Sequence, residues 1–381
     1  MHIRVRDSIS TIEPADWNGL LTRDDPFLRH EFLLALEESG SVSRESGWSP
    51  CHLTCENDSG ELLGALPLYL KDNSYGEFVF DFAWASAYQQ AGLAYYPKLV
   101  CSVPFTPVTG SRLLVAGQQA NRDAIRSALV EGAINCTSES GASSLHVLFP
   151  DKEETPLLER SEMLLRKDCQ FHWHNCNYTD FDHFLAGFTS AKRKKVRRER
   201  RRIEEQGIRF EVRTGNDLDE AAWQEIMPLY RTTFLRRGRE PYLEIGFFLQ
   251  LSATLPDSLV VFLGYAGDEL VAVAICFRSD TSLYGRYWGA NQYIDSLHFE
   301  TCYYQGIEYC ISEGLQTFEP GTQGEHKISR GFVPTETWSA HWLTHPQFAA
   351  AVDDYLERER EHIDRYMDVV ASHVPYRNDS S

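Results

Sequence analysis

The 381 residues carry 37 basic and 55 acidic side chains, a net charge of −18, with 43% hydrophobic and 12% aromatic residues. This composition excludes global disorder, and no apolar run approaches the roughly 20 residues that span a bilayer. The charge argues against indiscriminate binding to nucleic acid or anionic membrane, and the length favours two domains, each with its own core.

The opening MHIRVRDSIS lacks the apolar centre of a secretory signal, so the expected location is the cytoplasm. Nine cysteines stand singly without a Cys-x-x-Cys pair, and they read as reduced and mostly buried. In WSPCHLTCENDSGELLGALPLYLK two strand-like runs flank a turn at Asp58-Ser59-Gly60, an antiparallel hairpin. Further strand is expected around Phe78 to Trp84 and Lys98 to Val103. The aromatic run from 87 to 96 reads as core or as the wall of a cleft. PFTPVTGSR, at 104 to 112, reads as a constrained loop that either shapes a ligand channel or joins two strands. NRDAIRSALVEGAI reads as a helix leading into the strand SSLHVLFP.

A break at FPDKEETP sets the expected boundary between residues 150 and 175. The expected domains are 1–165 and 166–346, followed by a C-terminal helix and polar tail over 347–381. The second half repeats the order of the first. SLVVFLGYAGDELVAVAICFRS forms a hairpin about Gly267-Asp268, Leu283 to Trp288 is strand, and HFETCYYQGIEYCISEG is a helix before the strand LQTFEPG. Two mixed, mostly antiparallel α/β (α+β) sheets layered with helices follow from that order. In the last helix Val352, Tyr355, Leu356, Ile363, Tyr366 and Val370 form an apolar stripe, for packing on a domain or on a second subunit of a homo-oligomer.

Two segments stand out as candidate sites. Residues 192 to 202, KRKKVRRERRR, hold nine bases and one acid, so the remainder is more acidic than the total of −18. Ser190 is placed to cap a helix here, with Lys192, Arg193, Lys194 and Lys195 in its first turn. Cations oppose the helix dipole at that end, and a bound phosphate reverses the penalty. Lys192, Arg193, Lys194 and Arg197 are therefore candidate phosphate binders, against the alternative of a solvated helix face.

The second segment, FEPGTQGEHKISRGF at 318 to 332, follows a strand and gathers polar groups into a turn. Glu319, Glu325 and His326 are candidate bases for an attacking amine. Lys327 and Arg330 are candidate charge stabilisers, and Gln323 is a further substrate-binding candidate. The alternative is a polar surface turn. Arg286, a base inside the aromatic strand LYGRYWGANQY, needs a partner and joins the binding candidates. His172 and His174 alternate along FHWHN, but no third ligand stands at a spacing that indicates a metal site.

DPFLRHEFLLALEESG, LPLYLK, PFTPVTGSRLL, FHWHN, FLAGFTSAKRKKVRRERRRIEEQGI and FEPGTQGEHKISRGF together resemble the FemAB-like predicted N-acyltransferases. That bacterial group is linked to peptidoglycan biosynthesis, and the similarity spans nearly the whole chain. It implies two tandem GNAT-like domains and transfer of an acyl or aminoacyl group to a small-molecule or peptide amine acceptor, with a cell-wall precursor as one candidate. Fem ligases use aminoacyl-tRNA and carry a late Lys-x-x-x-Gly-Phe pattern, which Lys327, Gly331 and Phe332 match here. Neither half has the Gly-rich pyrophosphate loop of acetyl-CoA-dependent GNAT domains, so acyl-CoA and aminoacyl-tRNA both remain candidate donors. The expected site is a cleft between the domains near residues 318 to 332. The alternative function is a non-catalytic module that holds tRNA or a phosphorylated precursor on the basic helix.

Overall fold

The computed structural model describes residues 1–322 and 324–377. Gln323 and the polar tail from Asn378 on lie outside the described residues. The chain forms two compact units, Met1–Cys169 with Glu336–Arg365, and Gln170–Thr335 with the described residues from Tyr366 on. Both have the mixed α/β build expected of tandem GNAT-like domains.

In the first unit the expected hairpin is present but divides between two sheets. His52–Glu56 pairs with Leu62–Leu66, whereas Trp48–Pro50 pairs with Leu68–Lys71. The switch falls at Cys51 and Pro67, where proline has no amide to offer a ladder. The inner pair joins His2–Arg6 and Leu114–Val115 in a four-stranded antiparallel sheet. The outer pair continues through Lys98–Cys101 to Ser144–Leu148, which run parallel, and then to Ser339–Leu343. Helix Arg122–Glu139 makes the crossover between the parallel strands. Its Ile125, Leu129, Val130 and Ala133 are buried in one core with Leu66, Leu99 and Leu145.

Phe78 to Trp84 is not strand. A loop leads into helix Phe82–Gln90, in which Trp84 and Tyr88, four residues apart, are buried against Tyr95, Leu343, Val352 and Leu356. The i, i+4 spacing of the two aromatics carries the helix, and the surrounding aromatic texture conceals it. Val352 and Leu356 belong to the C-terminal helix Pro346–Ala371, so this part of its apolar stripe is covered within the chain.

The second unit orders its strands Ile208–Thr214, Leu259–Ala266, Glu269–Arg278, Ser282–Ala290 and Thr317–Glu319, with Trp173 and His174 beyond them. The Gly267-Asp268 hairpin is as expected. Ser282–Ala290 and Thr317–Glu319 run parallel, joined by a helical run from Leu297 to Ser312 with a wider π turn at Glu300–Tyr304. Helix Glu220–Leu235 packs on this sheet so closely that a Cβ at Gly289 would lie 1.8 Å from the Leu229 carbonyl oxygen.

The strand after the first repeat, ending in Trp173 and His174, pairs with Phe318 and Thr317 of the second unit. The strand after the second repeat, through Ser339–Leu343, pairs with Leu148–Ser144 of the first. No helix among the described residues is long and apolar enough to cross a membrane.

Candidate functional site

The parallel pair in the second unit matches Ser282 with Thr317, Leu283 with Phe318 and Tyr284 with Glu319, after which the shorter strand ends. Beyond that point, among the described residues, Ser282–Ala290 keeps only its antiparallel neighbour. Its register slips by one residue there: Cys276 faces Gly285 and Ile275 faces Tyr287, so Arg286 is the extra residue of a β-bulge. Bulges re-aim side chains. A pocket of about 100 Å³ opens here, lined by Cys276, Arg286, Trp288, His298, Tyr303 and Pro320. Crevices beyond the carboxyl ends of parallel strands are the usual ligand sites of α/β sheets. The Arg286 guanidinium lies 5.5 Å from the centre of the Tyr287 ring. Burial pulls its pKa down, with Tyr287 and Glu319 opposing that pull.

The segment after Glu319 brings three of its candidates to this region. Lys327 is 1% exposed and donates to the Gly321 carbonyl at 2.5 Å. Burial pulls its pKa down to about 7, with Cys302 pulling the other way. Its charge acts on His298 in the pocket wall, whose pKa is lowered to about 4 by burial first, then by His326, Arg330 and Lys327. Arg330 is also buried. It donates to Glu199 Oε1 at 2.8 Å and to the His326 carbonyl at 2.6 Å, and its guanidinium lies 3.3 Å from the Phe299 ring centre. His326 Nε2 is 2.8 Å from the Tyr303 hydroxyl.

The remaining candidates divide. Glu319 ends the short parallel strand, with one oxygen 3.9 Å from His172 Nε2. His172 is buried and bonds Gln170 at 3.1 Å, which makes it a hydrogen-bonded core histidine, and burial lowers its pKa to about 3. Glu325 is exposed and accepts from the Tyr366 hydroxyl at 3.0 Å. It lines a different hollow, of about 280 Å³, with Lys192, Ser329 and His373. Gln323 lies outside the described residues.

The basic run forms helix Ser190–Glu205. Thr189, not Ser190, holds the capping position, and its side chain makes no cap hydrogen bond. Only Lys192 of the four expected cations falls within the first three helical positions. Val196, Glu199 and Ile203 form the buried stripe, at 1%, 6% and 2% exposure. Glu199, the single acid in the run, was not among the candidates, although its position three after Val196 and four before Ile203 puts it on that face. It accepts from Arg330 and from the Tyr304 hydroxyl.

The cations sort into two sets. Arg197 pairs with Asp182 at 2.8 Å, Arg200 with Glu300 and Glu308 at 3.0 and 2.7 Å, Arg202 with Asp295, and Lys195 with Glu199 at 4.0 Å. Lys192, Arg193, Lys194, Arg198 and Arg201 have no side-chain hydrogen bond or ion pair among the described residues. Thus three of the four candidate phosphate binders are available, and Arg197 is already engaged. Just before the Leu297 helical run, Asp295 presents an acid to Arg202.

A FemAB-like family model, described as peptidoglycan biosynthesis/recognition, matches residues 8–378. No curated protein matches the sequence. Among solved structures the chain is similar to FemX, with a TM-score of 0.53 and 12% identity over 93% of this chain and 100% of that one. It is similar to the C-terminal domain of a putative lysylphosphatidylglycerol synthetase from Agrobacterium fabrum, with a TM-score of 0.55 and 9% identity over 91% and 96%. It is also similar to L-PGS from Bacillus licheniformis, with a TM-score of 0.51 and 10% identity over 88% and 98%. At these identities the likeness is one of fold.

Proposed function

Because the chain belongs to the FemAB-like family, we propose that it is a transferase moving an acyl or aminoacyl group from a phosphate-bearing donor to an amine, in a cytoplasmic setting. The observation that carries this reading is the pocket where the parallel strands part, with Arg286 on its wall and the buried Lys327 within electrostatic reach of His298. Transfer to an amine needs a neutral nucleophile, an acceptor for its proton, and donors aimed at the oxyanion that forms on the acyl carbon. Lys327, partly charged near neutrality, and Arg286 supply the donors. Arg330 braces the segment, and Glu319 and His326 remain the candidate proton acceptors beside the pocket. Glu325, turned to Tyr366, has the weakest case.

Aminoacyl-tRNA is the favoured donor over acyl-CoA, since neither half has the Gly-rich loop whose bare amides a pyrophosphate would need. Lys192, Arg193 and Lys194 would hold its phosphates, and a cell-wall peptide is the acceptor that fits the family. The test is transfer by the purified protein from charged tRNA or acyl-CoA to a panel of amines. Lys327→Met should lower the rate by about 100-fold or more. No transfer by the wild type with any donor and acceptor would overturn the reading.

The unpaired cations of the basic helix favour a second reading, a binding module without chemistry. It requires polyanion binding that weakens steeply with salt and survives Lys327→Met unchanged.

A further inference from the structure

The helical run from Leu297 to Ser312 does not keep its α-helical pitch. It widens into a π turn over Glu300–Tyr304, a distortion frequent at functional sites. The wider turn carries two successive tyrosines inward, Tyr303 at 3% exposure and Tyr304 at 0%. Their hydroxyls serve different partners. Tyr304 donates to Glu199 and so braces the basic helix. Tyr303 lines the pocket beside Arg286 and His298 and meets His326 Nε2 at 2.8 Å.

The imidazole of His326 is held from several sides. Phe299 and His298 lie with ring centres 5.8 and 5.9 Å away, and the His326 backbone carbonyl receives Arg330 and the Ser329 hydroxyl. Gly324 has φ +118°, and a Cβ there would meet His326 Cε1 at 2.3 Å, so the ring occupies space that only glycine leaves. The residue nevertheless remains exposed, with a route to solvent.

We propose that Tyr303 is a catalytic residue of the transfer, taking the proton of the attacking amine and passing its own to His326 and then to solvent. The proposal rests on the transferase reading of the pocket. As the amine nitrogen bonds the acyl carbon, its N–H proton goes to the Tyr303 oxygen while the phenolic proton goes to His326 Nε2, forming an imidazolium. The bond from the acyl carbon to the donor's ester oxygen or thioester sulfur breaks, and that atom leaves with the electron pair and takes a proton from solvent. His326 then releases its extra proton to solvent.

The relay needs a protonated phenol and a neutral imidazole with a bare Nε2. Burial holds the Tyr303 hydroxyl above its ordinary pKa. Burial, then Arg330, Lys327 and Lys195, hold His326 below its own.

Two measurements on the full-length protein test this. Nitrogen NMR of the histidine rings should show His326 with its proton on Nδ1 at neutral pH, and Tyr303→Phe should shift that tautomer balance. A wild-type His326 protonated on Nε2 would overturn the relay whether or not a donor is known. With any donor and amine that turn over, Tyr303→Phe should lower kcat about 100-fold or more at unchanged KM. His326→Gln, a change at an exposed position, should remove the acid limb of the kcat profile. Wild-type kcat in Tyr303→Phe overturns the relay and leaves the transferase intact. Absence of turnover by the wild type counts against the transferase instead, and the ring tautomer still decides the relay.

Discussion

Arg330 Nη2 stands 2.8 Å from Glu199 Oε1, and the two side chains are 2% and 8% exposed. The pair ties the segment carrying Lys327 to the middle of the basic helix. Glu199→Ala leaves a buried guanidinium without its counter-ion, a change that costs about 3 kcal/mol or more in comparable pairs. Urea denaturation should show that loss, with Glu199→Gln milder because an amide oxygen still accepts. An unchanged midpoint in Glu199→Ala would mean that Arg330 is satisfied elsewhere.

The two sets of cations on the helix should separate in experiment. Lys194, Arg198 and Arg201 are exposed and recur at i, i+4 and i+7, one ridge of the helix. Converting all three to glutamate should leave the denaturation midpoint almost unchanged. If a nucleic acid binds there, the slope of log affinity against log salt should fall by about 0.7 to 0.9 per lost phosphate contact. Arg200→Ala should do the reverse, lowering stability because Glu300 is buried, with its polyanion slope little altered.

Acid should weaken the first unit through His146 and His341, whose Nδ1 atoms are 2.6 Å apart. Ser144 bonds the other nitrogen of His146 and Ser339 that of His341. Burial lowers the His146 pKa to about 3, with Lys98 and Arg166 adding to the effect and Asp81 opposing it, and His341 is held well below 6.5. The unfolded chain binds these protons near 6.5 and the folded chain does not. Stability is therefore fully present above that pH and falls as pH drops toward 3, by up to about 1.4 kcal/mol per pH unit for each histidine. Urea denaturation between pH 4 and 7 should show the slope, and His146→Gln should flatten it.

Gly289→Ala should be among the most damaging single-methyl changes in the second unit. The added carbon would meet the Leu229 carbonyl oxygen at 1.8 Å and its carbon at 2.4 Å, both main-chain atoms of a packed helix. Overpacking against backbone that cannot yield costs about 3 kcal/mol. Thermal unfolding would check it, and a shift no larger than that of an exposed alanine substitution would show that the helix can retreat.

Much of the fold is legible in the sequence because hairpin turns and helical stripes are local signals. Asp58-Ser59-Gly60 and Gly267-Asp268 mark their turns, and Ile125, Leu129 and Ala133 mark a helix face. The change of sheet at Cys51 and Pro67 is not legible, since a strand shared by two sheets keeps one continuous pattern. Helix Phe82–Gln90 was obscured because its aromatics suit a strand equally well. At the site, strand-end position and residue type point to Glu319, His326, Lys327 and Arg330. The direction of Glu325 depends on Tyr366, 41 residues away. Tyr303 looks like core in sequence, and only the π turn and its bond to His326 give it another meaning.

The exchange of strands after each repeat constrains how the protein can be made. The first unit lacks the partner of its strand Ser144–Leu148 until residues 339 to 343 have been synthesised, although its own crossover is finished by residue 148. The second receives Trp173 and His174 from the chain that emerged before its own hairpin. Cutting the gene near residue 165 would therefore strip the leading fragment of strand Ser339–Leu343 and expose one edge of its parallel pair, an invitation to aggregate.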